Sequence, residues 1–143
     1  MKVYVLLIIG TWIGMVLGLS FIEAPLKFQA PGITTKLGLG IGRLVFGFSN
    51  KFQLVFTVFI LVSLGLNISI IGSMVKVLFS ILIVIVGIQT FCLLPALDIR
   101  ATEILNDRAV ADSLHHIYFV ILEILKISIL VLLFININKV WKI

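Results

Sequence analysis

The sequence predicts an all-α protein: an antiparallel bundle of four transmembrane helices, with an interfacial or re-entrant helical element between helices 1 and 2. Three observations carry that prediction. Hydrophobic residues make up 62% of the 143-residue chain and charged residues only 12%, against about 45–50% and about 25% in a soluble domain. Mean hydropathy is +1.31, an excess that only a lipid surround accommodates. Four apolar runs, roughly 3–22, 52–71, 77–97 and 114–135, are each long enough to cross about 30 Å of hydrocarbon. One integral membrane domain, 1–143, accounts for the whole chain.

Span one follows Lys2. Its apolar run is longer than a signal-peptide core and no A-x-A site follows it, so it reads as an uncleaved first helix. Gly10, Gly14 and Gly18 recur at four-residue spacing, a tandem G-x-x-x-G along which another helix can approach closely. Packing inside the bundle and association with a second copy both use such a strip.

The first loop opens Glu23-Ala-Pro25-Leu-Lys27-Phe-Gln-Ala-Pro31-Gly32. Two prolines disfavour a long helix there. Residues 33–48 are apolar again but too short to span. On a helical wheel Lys36, Gly40, Arg43 and Gly47 share one side and Leu37, Ile41, Leu44 and Phe48 the other. That is the pattern of an interfacial helix, or of a re-entrant element packed on the bundle. Gly38, Gly40 and Gly42 do not make G-x-G-x-x-G, because Arg43 takes the last glycine's place and no strand precedes them.

Spans two and three are joined near Gly72 and must be antiparallel. Asn67 and Gln89 are polar exceptions within them, of the kind that hydrogen-bond across membrane helices. Pro95 is expected to kink the end of span three. Residues 98–112 then hold most of the acidic groups, with Asp98, Arg100 and Glu103 on an outgoing helical extension and a break expected at Asn106-Asp107. Trp141 between Lys139 and Lys142 closes the chain in an interface-anchor pattern.

Span four carries the candidate site. Asp112, His115, His116, Glu123 and Lys126 fall within an arc of about 100° on a helix, and the remaining surface is apolar. Ionisable groups at membrane depth cost about 2.5–3.5 kcal/mol each on insertion scales and normally face protein or water. Glu123 and Lys126, three residues apart, fit two roles. One is a mutual ion pair that holds the bundle; the other is a buried carboxylate that exchanges a proton or binds a cation. Asp112 and His116 stack four residues apart, and His116 lies about 10 Å along the axis from Glu123. They suit either a proton relay or ordinary capping beside an interfacial histidine pair.

Other chemistries lack their residues. The net charge of +5 resides in lysines and arginines that flank apolar runs, which suits lipid headgroups rather than nucleic acid. Cys92 is alone, so no internal disulfide forms. The two histidines are adjacent and no H-E-x-x-H is present, so neither a metal nor a haem is expected, and no other cofactor is implied. G-x-S-x-G is absent.

Three stretches together resemble a family. They are Gly10-Thr-Trp12-Ile-Gly14 with Ser20-Phe-Ile-Glu-Ala-Pro25-Leu-Lys-Phe28, Leu94-Pro95-Ala-Leu-Asp98-Ile-Arg100-Ala-Thr-Glu103, and Ser113-Leu-His-His116-Ile-Tyr118. The chain resembles small bacterial four-helix integral membrane proteins, and is more distantly similar to the transmembrane-protein-205 type. The resemblance makes Pro95, Arg100 and His116 the matching positions and implies a four-helix membrane bundle; a bacterial inner membrane is the expected residence. It implies no particular reaction. The long Pro/Gly segment at 23–48 departs from that pattern.

Two function classes follow. One is a small transporter or ligand-binding membrane protein with a polar path along helix 4 and Glu123 as its sensitive group. The other is a structural or accessory subunit of a homo-oligomer or membrane complex. A membrane-embedded enzyme comes third. Six cations (Lys27, Lys36, Arg43, Lys51, Arg100, Arg108) sit after spans one and three, against four (Lys2, Lys76, Lys139, Lys142) at the other end. That places loops 23–51 and 98–113 in the cytoplasm by the positive-inside rule.

Overall fold

The computed structural model describes residues 1–110 and 113–140. Asp112, Trp141 and Lys142, singled out above, lie outside the described residues. Four helices are long and apolar enough to cross a membrane: α1 (Lys2–Gln29), α2 (Thr35–Gly65), α3 (Ser73–Leu105) and α4 (His115–Val140). They form an antiparallel bundle in which α4 packs against α1 and α3, and α2 packs against α1 and the outer end of α3.

Pro25 does not end the first helix, contrary to the expectation from the two prolines. The helix runs through it to Gln29. A proline lacks an N–H and its ring clashes with the carbonyl four residues back. Here the turn before it is π-helical over Leu17–Glu23, with the Ala24 N–H bonded to the Leu19 carbonyl five residues back. That wider turn makes room for the ring. Pro95 is accommodated in the same way: Gln89–Leu93 is π-helical, the Leu94 N–H reaches the Gln89 carbonyl, and the helix continues to Leu105. Pro31 does lie outside a helix. Ala30 before it is extended (ψ 135°), as the proline ring requires, and Gly32 turns the chain with φ +80°, a conformation open to glycine.

The helical element expected between spans one and two is present, but it continues without a break into span two. Thr34 caps it, accepting the Leu37 N–H at 3.2 Å. Leu37, Leu44 and Phe48 point outward, where lipid would meet them, and Arg43 turns inward to α3. Span two ends earlier than the apolar run suggested, at Gly65. Asn67 does not reach across the bundle; its side chain donates to the Ser63 carbonyl at 2.8 Å and closes its own helix. The break at Asn106-Asp107 is where the sequence placed it. Asp107 adopts φ 58°, which aspartate tolerates better than most residues, and its carboxylate accepts from Lys36 at 2.5 Å.

The two ends of the bundle differ. Near the termini the interior is dry: Val5, Ile9, Trp12 and Val16 of α1 interlock with Leu130, Leu133 and Ile137 of α4 and with α3 residues such as Leu82 and Val86. Trp12 is fully buried, its ring 5.8 Å from that of Phe56. The other half holds a cavity.

Gly10, Gly14 and Gly18 make no close approach to another helix of the chain. A Cβ built on any of them meets nothing within 4 Å. Glycine costs a helix about 0.5–1 kcal/mol relative to alanine, so Gly14→Ala raises the stability of the isolated chain by an amount in that range. A loss of stability, read by thermal melting in detergent, would show that another helix covers the strip.

Candidate functional site

Each of the four helices contributes to one buried polar centre. Glu123 and Lys126 of α4 are 1% and 0% exposed, and their ion pair is 2.5 Å long. An ammonium has three N–H donors, and Lys126 Nζ has three acceptors: Glu123 Oε1 at 2.5 Å, Gln53 Oε1 of α2 at 2.6 Å and Gln89 Oε1 of α3 at 2.7 Å. Gln89 uses its other end as well, donating from Nε2 to Glu123 Oε1 at 2.7 Å. Ser20 of α1 donates to Glu123 Oε2 at 3.0 Å. Behind Gln53, its Nε2 reaches Ser49 Oγ at 3.4 Å.

A buried charge is tolerated only when it is paired and its remaining hydrogen-bonding capacity is met. This centre meets that condition with side chains from all four helices. The π-helical turns contribute directly, since Ser20 and Gln89 both lie in them. The turns that make room for Pro25 and Pro95 are therefore also the turns that supply α1 and α3 partners to Glu123.

On the side of this centre away from the dry core lies a cavity of about 1020 Å³, bounded by all four helices. Ser20 and Glu123 are at its inner end, with Thr90 and Asn50 beside them. Thr90 Oγ1 donates to Asn50 Oδ1 at 2.9 Å, tying α3 to α2. The walls are largely apolar, with Phe21, Phe28, Phe46, Leu94 and Phe119 among them. Phe46 and Phe119 meet edge to face at 5.5 Å. Charged groups return towards the outer end: Lys27, Arg43, Asp98, Arg100 and His116 all line it. Arg43 grips Asp98 with two bonds, Nε to Oδ1 at 2.5 Å and Nη2 to Oδ2 at 3.0 Å. Lys27 Nζ lies 3.2 Å from Glu23 and 5.6 Å from the ring centres of both Phe28 and Phe46.

The residues expected on span four separate into three groups. Glu123 and His116 line the same cavity, at its inner and outer ends. Lys126 closes the polar stripe from behind, and beyond it Leu130, Leu133 and Ile137 are fully buried. The path along α4 is thus a pocket that stops at the ion pair. His115 is off the path: it is exposed, its Nδ1 2.9 Å from Ser113 Oγ. In α3, Pro95, Asp98 and Arg100 line the cavity and Glu103 does not. The Glu103 carbonyl instead accepts the N–H groups of Asn106 and Arg108 at 3.1 and 3.0 Å, where it helps end the helix. Among the described residues no three His, Cys, Asp or Glu side chains converge in a way that could hold a metal ion.

Sequence reasoning missed Gln53, Ser20 and Lys27 as site residues. Gln53 carried a readable signal, as a lone amide opening an apolar run. Ser20 and Lys27 carried none, because their place depends on the helix continuing through Pro25. No protein-family model, curated protein or solved structure matches the chain.

Proposed function

We propose that this chain is a small ligand-binding membrane protein whose cavity takes an amphipathic molecule from the membrane interface. The observation that carries the reading is the cavity of about 1020 Å³, apolar along its walls and polar at both ends. Small-molecule sites commonly occupy about 300–1,000 Å³ and are mostly apolar with a few placed polar groups. The Glu123–Lys126 centre forms the inner end. Movement of a ligand right through the chain would also require the dry half around Trp12 and Leu130 to open. The cation count favours a mouth on the cytoplasmic side of a bacterial inner membrane.

Gly47 provides the test. It lines the cavity, and a Cβ there meets nothing within 4 Å. Gly47→Leu therefore fills the space without displacing the backbone. Native mass spectrometry of the chain released from its own membrane is expected to show a bound molecule on the wild type and none on Gly47→Leu, with equal melting temperatures. Retention of the same mass by both proteins would refute the reading.

The glycine strip supports a second reading, in which the chain also assembles with a copy of itself or another membrane protein. Its support is that Gly10, Gly14 and Gly18 face open space at the spacing helices use for close approach.

A further inference from the structure

We propose that the cavity takes an uncharged amphiphile, a long apolar molecule ending in a hydroxyl, with that hydroxyl seated against Asn50 at the inner end. This deepens the ligand-binding reading above and rests on it.

Charge makes the first selection. Every lysine, arginine, aspartate and glutamate that lines the cavity is already engaged. Glu123 is matched by Lys126, Lys27 by Glu23 and Arg43 by Asp98, and Arg100 has an interaction of its own. A charged ligand would enter without a counter-charge, or would have to break one of these pairs to obtain it. A buried ion without a partner is far more costly than a neutral hydroxyl, so the site rejects anions and cations alike.

The inner end selects the head. Thr90 donates to Asn50 Oδ1, and among the described residues the Asn50 amide has no other hydrogen bond. Its N–H donors are left for a ligand, and Asn50 lines the cavity. Acceptors lie beside it. Glu123 Oε2 receives one hydrogen bond, from Ser20, and a carboxylate oxygen has room for a second. The Ser20 and Thr90 hydroxyls both donate within the chain and keep lone pairs with which to accept. A ligand hydroxyl donates and accepts, so it meets the Asn50 amide and one of these oxygens together, whereas a ligand carbonyl would use the amide alone. Phe21, Phe46, Leu94 and Phe119 cover the apolar remainder of the molecule.

The test measures binding of tritiated oleyl alcohol to the lipid-stripped, detergent-solubilised full chain, with oleate, oleylamine and 1-octadecene as competitors of equal chain length. At about pH 8 the acid and the amine are both charged. Oleyl alcohol is expected to bind saturably and about tenfold more tightly than each competitor. Asn50→Ala should lower its affinity to that of 1-octadecene and leave 1-octadecene unchanged. Gly47→Leu should block both. Oleate or oleylamine binding as tightly as the alcohol, still blocked by Gly47→Leu, would overturn the uncharged assignment and leave the cavity reading standing. An alcohol that binds no better than 1-octadecene, or that keeps its affinity in a folded Asn50→Ala, would overturn the seat for the hydroxyl. The competition series uses the wild type, so it decides the head group even where Asn50→Ala fails to fold. Binding indifferent to Gly47→Leu would place the probe on the outer surface and overturn both readings.

Discussion

Lys126→Met, with Glu123 left in place, destabilises the bundle by about 3–5 kcal/mol, because it strands a buried carboxylate. The loss extends beyond the pair. Gln53 and Gln89 each lose a donor from Nζ, and an unmet buried polar group costs about 1–3 kcal/mol. Glu123→Gln should be milder, since an amide oxygen still accepts from Lys126 and Ser20 still has a partner. The double variant Glu123→Leu/Lys126→Met should recover the part of the loss that comes from the stranded charge, but not the part from Gln53, Gln89 and Ser20, which lose their partners in it. Chemical denaturation in mixed micelles, arranged as a double-mutant cycle, measures the coupling. Additive single effects would mean that the two side chains do not form the pair on which the centre is built.

Gly38→Ala is the second large effect. The added Cβ would overlap the Phe28 ring at Cε1, Cδ1 and Cζ. Ring and helix cannot both stay. Phe28 is 45% exposed and its ring can turn outward, so the cost lies towards the low end of the about 1–3 kcal/mol of overpacking, and the mouth changes shape, since Phe28 and Gly38 both line the cavity. Phe28→Ala introduced into Gly38→Ala should restore the melting temperature towards that of Phe28→Ala alone. If Gly38→Ala melts with the wild type, the contact between the end of α1 and the start of α2 is looser than described.

The long helices were legible because their signal is bulk: length and apolar content suffice to mark a span. The ionisable stripe on α4 was legible for a related reason, since Glu123 and Lys126 stand out against Ile and Leu. Asn106-Asp107 was readable as a break through turn chemistry. What was not legible depends on three-dimensional compensation. Pro25 ordinarily argues against a helix, and only the π-helical turn at Leu17–Glu23 reverses that. With α1 extended, Ser20 reaches Glu123 and Lys27 reaches the cavity mouth. Periodicity placed His115 and His116 on one arc with Glu123, yet a 100° arc is wide enough that one edge faces the cavity and the other faces out. The glycine strip shows the same limit: spacing identifies a surface that permits close approach, without saying whether a partner lies inside the chain or beyond it.

The cavity opens at one end and is stopped at the other by the Glu123–Lys126 centre. Thiol labelling along α4 tests it most directly. In a Cys92→Ser background, which removes the exposed native thiol, Val120→Cys places a thiol on the cavity wall and Leu130→Cys places one in the dry core. The two sites are about 15 Å apart along the helix. A small methanethiosulfonate reagent, applied to the lipid-stripped, detergent-solubilised chain, should modify the first and leave the second untouched. Equal labelling of both sites, or an inert Val120→Cys, would contradict the account.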